Sequence, residues 1–470
     1  MTTRTLARFV HELEFENLPQ EVRGRVPALA LDLAGIMVRA RHEAESTPAM
    51  IAAAKRLGLG HGACTVIGDA AGYSPAGAAM VNGTLAHSLD FDDTHAPGSL
   101  HPSAPIIPAA FAAAEMTGAD GRATIAAIVA GYEVQIRLSL ALDPAAHYDR
   151  GFHPTATCGA FGATAAAGRL LGLDAEGHAR AFGIVLSMAA GSLQFLVNGA
   201  WTKRSHVGHA AQCGLTAATL AVEGYEGAAD AIEGKWGFLH AYAPAADTAK
   251  VVDGLGTRWE TLKIAVKPYP SCRYSHAAID GIRELARKHD IRPDEVKDVM
   301  VGLPEPGWKI IGDPESAKQS PASVVDGQFS MAFCAAVALR TGGLAWDDYA
   351  RHLGDRDTLA LCKRIRTRID PKAQADFPAE MSAGVRMATA RGDFETYVRV
   401  PKGEPANFLT ASELRAKFDG LVGPYLSRER ADALARGLLA LDKARDIGAV
   451  LRLASPEVRS VEPRLAAREA

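Results

Sequence analysis

Apolar residues recur at three- and four-residue steps through most of residues 1–265. Val22, Val26, Leu29, Leu33, Ile36 and Met37 set the pattern, the signature of an amphipathic helix. Ser74-Pro75 reads as an N-cap followed by proline at the first helical position. The helix it opens is expected to reach residue 94. Further helices are expected over about 103–116, 123–142, 158–171, 175–196 and 210–222. Small residues inside them, as in CGAFGATAAAGRLLG, predict close helix–helix packing.

The texture changes at Lys267-Pro268-Tyr269-Pro270. A helix is expected over about 277–288, then a strand over 298–303. Two alternating runs, SAGVRMAT and FETYVRV, flank Ala390-Arg391-Gly392-Asp393 and predict a hairpin. Helical periodicity returns from Ser412. The expected fold is therefore mainly α. A large all-helical domain is formed by both chain ends, 1–266 and 402–470, with an inserted, smaller α+β lid domain over 267–401.

Composition narrows the function classes. The chain has 470 residues, a formal net charge of −3 and six scattered cysteines without a CxxC pair. No basic excess points to nucleic acid. The cysteine pattern argues against a disulfide frame or a structural zinc site and fits a reducing compartment. The N-terminus lacks a signal-peptide core. The most apolar run, ATIAAIVAGYEVQIRLSLAL, carries Glu133 and Arg137, which argues against a membrane span. The expectation is a cytoplasmic protein with neither a nucleic-acid nor a membrane partner.

The stretch HSLDFDDTHAPGSLHPS, residues 87–103, concentrates the chemistry. On a helical wheel His87, Asp90 and Thr94 share one face, and Asp92 and Asp93 point elsewhere. A metal site would draw on His87, Asp90 and His101, but the spacing matches no metal motif. A solvated polar turn is the plain reading; His101 oriented by Asp90 for proton transfer is the functional one.

Three other segments resemble it. His153 precedes a helix start. Lys203, Arg204 and His206 precede another, where backbone N–H groups favour anions. Lys267, Cys272, Arg273 and His276 open the second domain. Together they supply imidazoles for proton traffic and cations for carboxylates, which fits a small carboxylate held between domains. Cys272 reads as a pocket-lining thiol rather than a nucleophile.

The blocks VNGTLAHSLDFDDTH…HPS, GFHPTATCGAFGATAAAGRLLGL, TKRSHVGHAAQCGL and KPYPSCRYSH resemble the MmgE/PrpD family, in the family's order and over nearly the whole chain. That family includes 2-methylcitrate dehydratase, cis-aconitate decarboxylase and iminodisuccinate epimerase. The resemblance implies a homodimer, a lid, no cofactor and no metal. It implies His101, His153, Asp90 and Lys203 as catalytic residues. Thr94 and the Cys272 position are implied as substrate-binding; Arg204 and His206 beside Lys203, and Lys267, Arg273 and His276 at the domain boundary, are expected to join them from the residue reading above. Cys272 stands where the decarboxylases carry histidine, and Phe333 is matched to a decarboxylase tyrosine; both departures weigh against decarboxylation. The implied activity is a cofactor-independent lyase on a small di- or tricarboxylate, dehydratase-like, with proton transfer α to a carboxylate. The alternatives are an epimerase or isomerase of an amino- or imino-dicarboxylate, then a decarboxylase. A non-catalytic dicarboxylate-binding protein is the reading from a different class.

Overall fold

The computed structural model describes residues 2–455, so the end of the expected C-terminal segment, 456–470, lies outside the described residues. The protein is mainly α. Its apolar side chains gather in two cores. One draws on residues from Leu6 to Val266 and again from Leu409 to Ala454; the other runs from Tyr269 to Met387.

Helix Gln20–Glu43 lies deep in the first core, with the periodic residues Val22 to Met37 buried. Beside it, Gly121–Leu142 is long and apolar enough to cross a bilayer, but it is buried inside this core. Its charges neutralise each other: Arg137 Nε donates to Glu133 Oε2 at 3.0 Å.

Helix Pro75–His87 begins as its sequence predicts, with Ser74 Oγ accepting from the Gly77 N–H at 3.1 Å. It crosses Thr202–Val222 at Gly83 and Gly208. A Cβ on Gly83 would lie 2.8 Å from the Gly208 Cα, so only glycine fits. Gly214 meets helix Pro154–Leu170 with similar closeness: a Cβ there would lie 2.4 Å from the Ala163 Cβ. These crossings bring the end of one helix, at His87, beside the start of another, at Lys203.

Three helix bounds differ from the periodicity by seven residues or more. Pro75–His87 stops seven residues before Thr94, because Asp90 adopts a left-handed backbone (φ 52°) and breaks the repeat. Thr202–Val222 starts eight residues before 210, so Lys203, Arg204 and His206 sit on its first turns rather than before it. Ala175–Leu186 ends ten residues before 196.

The second core packs helices His276–His289 and Met331–Thr341 with a four-stranded sheet. Its order is Ile365–Ile369, Val296–Leu303, Ala383–Thr389, Gly392–Val398. The first pair is parallel and the rest antiparallel. The expected hairpin is present, with Thr389 opposite Gly392. Ile365–Ile369 escaped the sequence reading, because its IRTRI pattern is rich in arginine.

Candidate active site

A cleft of about 280 Å³ opens where the two cores meet. Asp90, Thr94, His101, Lys203, Lys267, Cys272 and Arg273 line it, together with Tyr148 and Phe329. Lining residues thus come from the turn after Pro75–His87, the start of Thr202–Val222 and the segment joining the cores.

Asp90 carries two ammonium groups. Lys203 Nζ lies 2.8 Å from Oδ1 and Lys267 Nζ 3.4 Å from Oδ2. Burial alone would raise the Asp90 pKa, but the two lysines reverse that, and the carboxyl is held well below its usual range. Burial works to lower the Lys203 pKa, and Asp90 more than restores it. Two cations sharing one anion leave one positive charge uncompensated at the cleft.

The second centre is Asp92, which the wheel had turned away from the site. Asp92 Oδ2 lies 2.8 Å from His87 Nδ1 and 3.1 Å from His101 Nδ1. Once the helix ends at His87, residues 88–93 no longer follow a 100° repeat, and Asp92 folds back under the imidazoles. Burial opposes its charge, but His101 and His87 hold its pKa well below the usual range. A carboxylate can only accept, so each Nδ1 carries the proton. Nε2 of His101 is then the basic nitrogen left for the cleft. Asp90, the orienter the sequence suggested, instead holds the lysines.

His153 stands one layer behind. Its ring stacks on His87 with centroids 5.9 Å apart, and His87 meets His101 edge-on at 4.6 Å. Burial, then neighbouring cations, lowers the His153 pKa well below normal; the same causes bring His87 to about 4. Both rings are neutral at neutral pH.

Three expected binding residues lie elsewhere. His206 faces a separate cavity of about 450 Å³ beside Met50, Met80 and His209, and its Nδ1 is 3.3 Å from His153 Nδ1. Arg204 turns to Ser46, donating from Nη1 to Oγ at 3.3 Å. His276 is buried in the second core, with Nε2 3.3 Å from the Ser271 carbonyl oxygen. For Arg204 this follows from helix geometry: one residue after Lys203 on Thr202–Val222, it points about 100° away. Arg273 does line the cleft, but its guanidinium is taken by Glu404 and Thr94. Phe333 is fully buried and stacks on Tyr349; Phe329, four residues earlier, lines the cleft instead, with Tyr148 and Tyr274.

Tyr148, whose hydroxyl donates to the Ser99 carbonyl at 3.1 Å, was not singled out from the sequence. A tyrosine three residues before a Gly-Phe-His turn carries no local signal. Burial pushes the Cys272 thiol up, so it is protonated rather than poised for attack. His87, Asp92 and His101 place their ligand atoms within 4.8 Å of one another, the one such cluster among the described residues. His101 belongs to it as the sequence suggested, but Asp92 replaces Asp90. Within it the His87 Nδ1–H is bonded to Asp92 Oδ2, while Asp92 Oδ1 and His87 Nε2 are buried without a hydrogen-bond partner.

Fold and cleft together define a mainly α protein with a lysine- and imidazole-lined site between two cores, equipped to hold a carboxylate and move a proton. The chain belongs to the MmgE/PrpD family. The MmgE/PrpD N-terminal domain matches residues 4–250 and the C-terminal domain residues 269–442. Among curated relatives, the cis-aconitate decarboxylase-like protein oryM of Aspergillus oryzae is 28% identical over 97% of this chain and 98% of its own length. The cis-aconitate decarboxylases of Aspergillus terreus and Homo sapiens are 28% and 27% identical, over 85% and 83% of this chain and 85% and 82% of their own lengths.

Proposed function

We propose that this protein is a cofactor-independent lyase acting on a small di- or tricarboxylate. The observation that carries the reading is Asp92 3.1 Å from Nδ1 of His101, in a cleft that His101 lines together with two lysines. The substrate carboxylate pairs with the surplus ammonium charge of Lys203 and Lys267. His101 Nε2 takes or returns the proton on the carbon α to that carboxylate. Developing enediolate-like charge is met by the lysines in a site already organised for it. Residues of the second core close over the bound acid as a lid and exclude water.

Elimination of water, as in 2-methylcitrate dehydratase, is the first reaction of this class to assay. The names of the curated relatives favour a second, decarboxylation, which would deliver its proton from the same imidazole. Epimerisation needs only the proton transfer.

The test is ¹H NMR of a panel of di- and tricarboxylates in D₂O. At least one acid is expected to exchange its α-proton or gain a vinylic signal. With Lys203→Met the same acid should react with KM raised and kcat lowered, each by roughly tenfold or more, given the tenfold-per-1.4 kcal/mol scale of a lost charge-assisted contact. Binding of an acid without exchange would support the non-catalytic reading and defeat the lyase. Wild-type kinetics in Lys203→Met would remove the lysine from its role.

We also propose a homodimer, as the family resemblance implies. Leu196, Val197 and Trp201 expose 68%, 77% and 46% of their surface on one short segment, which favours burial against a second copy. Light scattering after gel filtration should give twice the chain mass, and Leu196→Asp with Val197→Asp should give a monomer. A monomeric wild-type protein would end this proposal.

A further inference from the structure

Three consecutive backbone carbonyls in the turn that carries the site are each taken by a side chain from far along the chain. Gln328 Nε2 donates to the Leu89 oxygen at 2.8 Å. Lys267 Nζ donates to the Asp90 oxygen at 2.6 Å. Lys417 Nζ donates to the Phe91 oxygen at 3.1 Å. The middle residue, Asp90, has the positive φ that non-glycine residues adopt at a cost. Such a conformation persists only when its surroundings over-determine it, and here they do so one carbonyl at a time.

Lys417 is the most unusual of the three. Its ammonium is 2.6 Å from Asp32 Oδ1 on helix Gln20–Glu43 and sits 3.8 Å from the centre of the Phe91 ring. The side chains of Lys417 and Asp32 are 5% and 2% exposed, and neither residue lines the cleft. Helix Ala411–Val422 is pressed onto Gln20–Glu43 at Gly35, where a Cβ would lie 3.2 Å from the Phe418 ring. A buried ion pair is weak evidence for stability, because desolvation offsets most of its attraction. Its two ends point instead to a role in placing what they hold. Phe91 lies between Asp90, which carries the lysines, and Asp92, which carries the imidazoles.

We propose that Lys417 is a positioning residue. Anchored by Asp32, it fixes the Phe91 carbonyl, and through it sets Asp90 and Asp92 in register for Lys203, Lys267, His87 and His101. The C-terminal segment therefore completes the site without touching substrate. This inference rests on the proposed function for its kinetic consequence, but not for its structural one.

Lys417→Met alone leaves Asp32 buried and unpaired, so it is expected to destabilise the fold. The deciding protein is the double variant Asp32→Leu/Lys417→Met, which replaces both charges with apolar groups of similar size. It is expected to melt within a few degrees of wild type. Its kcat on the acid found active above should fall by roughly 10²-fold, as for a misplacement of about 1 Å, with KM changed by less than about threefold. In ¹⁵N-histidine-labelled full-length protein, the Nδ1 signals of His87 and His101 should move or broaden, because Asp92 no longer sits under both. A folded double variant with wild-type imidazole signals overturns the proposal, whatever its kinetics. If no acid reacts with wild type, the functional reading fails, and the imidazole signals still decide the role of Lys417.

Discussion

Replacing His101 with glutamine is expected to lower kcat by roughly 10²- to 10⁴-fold, the usual worth of a positioned general acid or base. Glutamine keeps a polar side chain of comparable reach but cannot exchange a proton near neutral pH. The fold should tolerate it. The ring is partly exposed at the cleft, and its backbone N–H stays with Thr155 Oγ1 at 3.2 Å. Substrate affinity should change little, because the lysines hold the carboxylate. Steady-state kinetics, with a melting curve to confirm the fold, would check this. A loss near threefold would show that another group moves the proton, and Tyr148 would be the next to test, since it lines the same cleft.

Asp92→Asn is expected to cost on the order of 10²-fold or more in kcat without changing a single side-chain volume appreciably. Asp92 presents Oδ2 to two Nδ1 atoms, and both rings must then be protonated there. Asparagine has one acceptor oxygen and one amide that only donates. An amide turned toward His101 pairs with a bare Nδ1, which moves the proton to Nε2 and converts the base at the cleft into a donor. The loss of negative charge also removes stabilisation from the imidazolium that forms during turnover. The measurement is kcat together with the ¹⁵N shifts of labelled histidines. Wild-type turnover with unchanged tautomers would sink the assignment of Asp92 as the orienting carboxylate.

The cleft also shows how little of its charge is free. Arg273 reads in the sequence as a cation for substrate, yet Glu404 from beyond the second core engages it, and Thr94 accepts a second bond. Only the Lys203–Asp90–Lys267 group keeps a net positive charge among the ion pairs that line the cleft. This favours acids whose reacting carboxylate enters beside Asp90.

Much of the fold was legible because its causes are local. Periodic burial drew Gln20–Glu43, the Ser74 hydroxyl opened Pro75–His87, and a two-residue turn closed the hairpin at Thr389 and Gly392. Strand Ile365–Ile369 was hidden because its partner is a parallel neighbour, Val296–Leu303, reached only through a long crossover. The four segments that bear the chemistry were also visible as residue types, and His101, Lys203, Lys267, Asp90, Thr94, Cys272 and Arg273 do meet at one cleft.

What the sequence determined by itself was the supply of groups: imidazoles, lysines and carboxylates placed at helix ends in a small-residue helical scaffold. What only the tertiary structure decided was their assignment. The turn after His87, where Asp90 takes its left-handed backbone, has its carbonyls taken by Gln328, Lys267 and Lys417, up to 326 residues away. That turn, and no periodicity, makes Asp92 the partner of the imidazoles and Asp90 the partner of the lysines. Hydrogen bonds between distant segments carry no signature in local spacing, and so the roles of two neighbouring aspartates stay unreadable until the chain has folded.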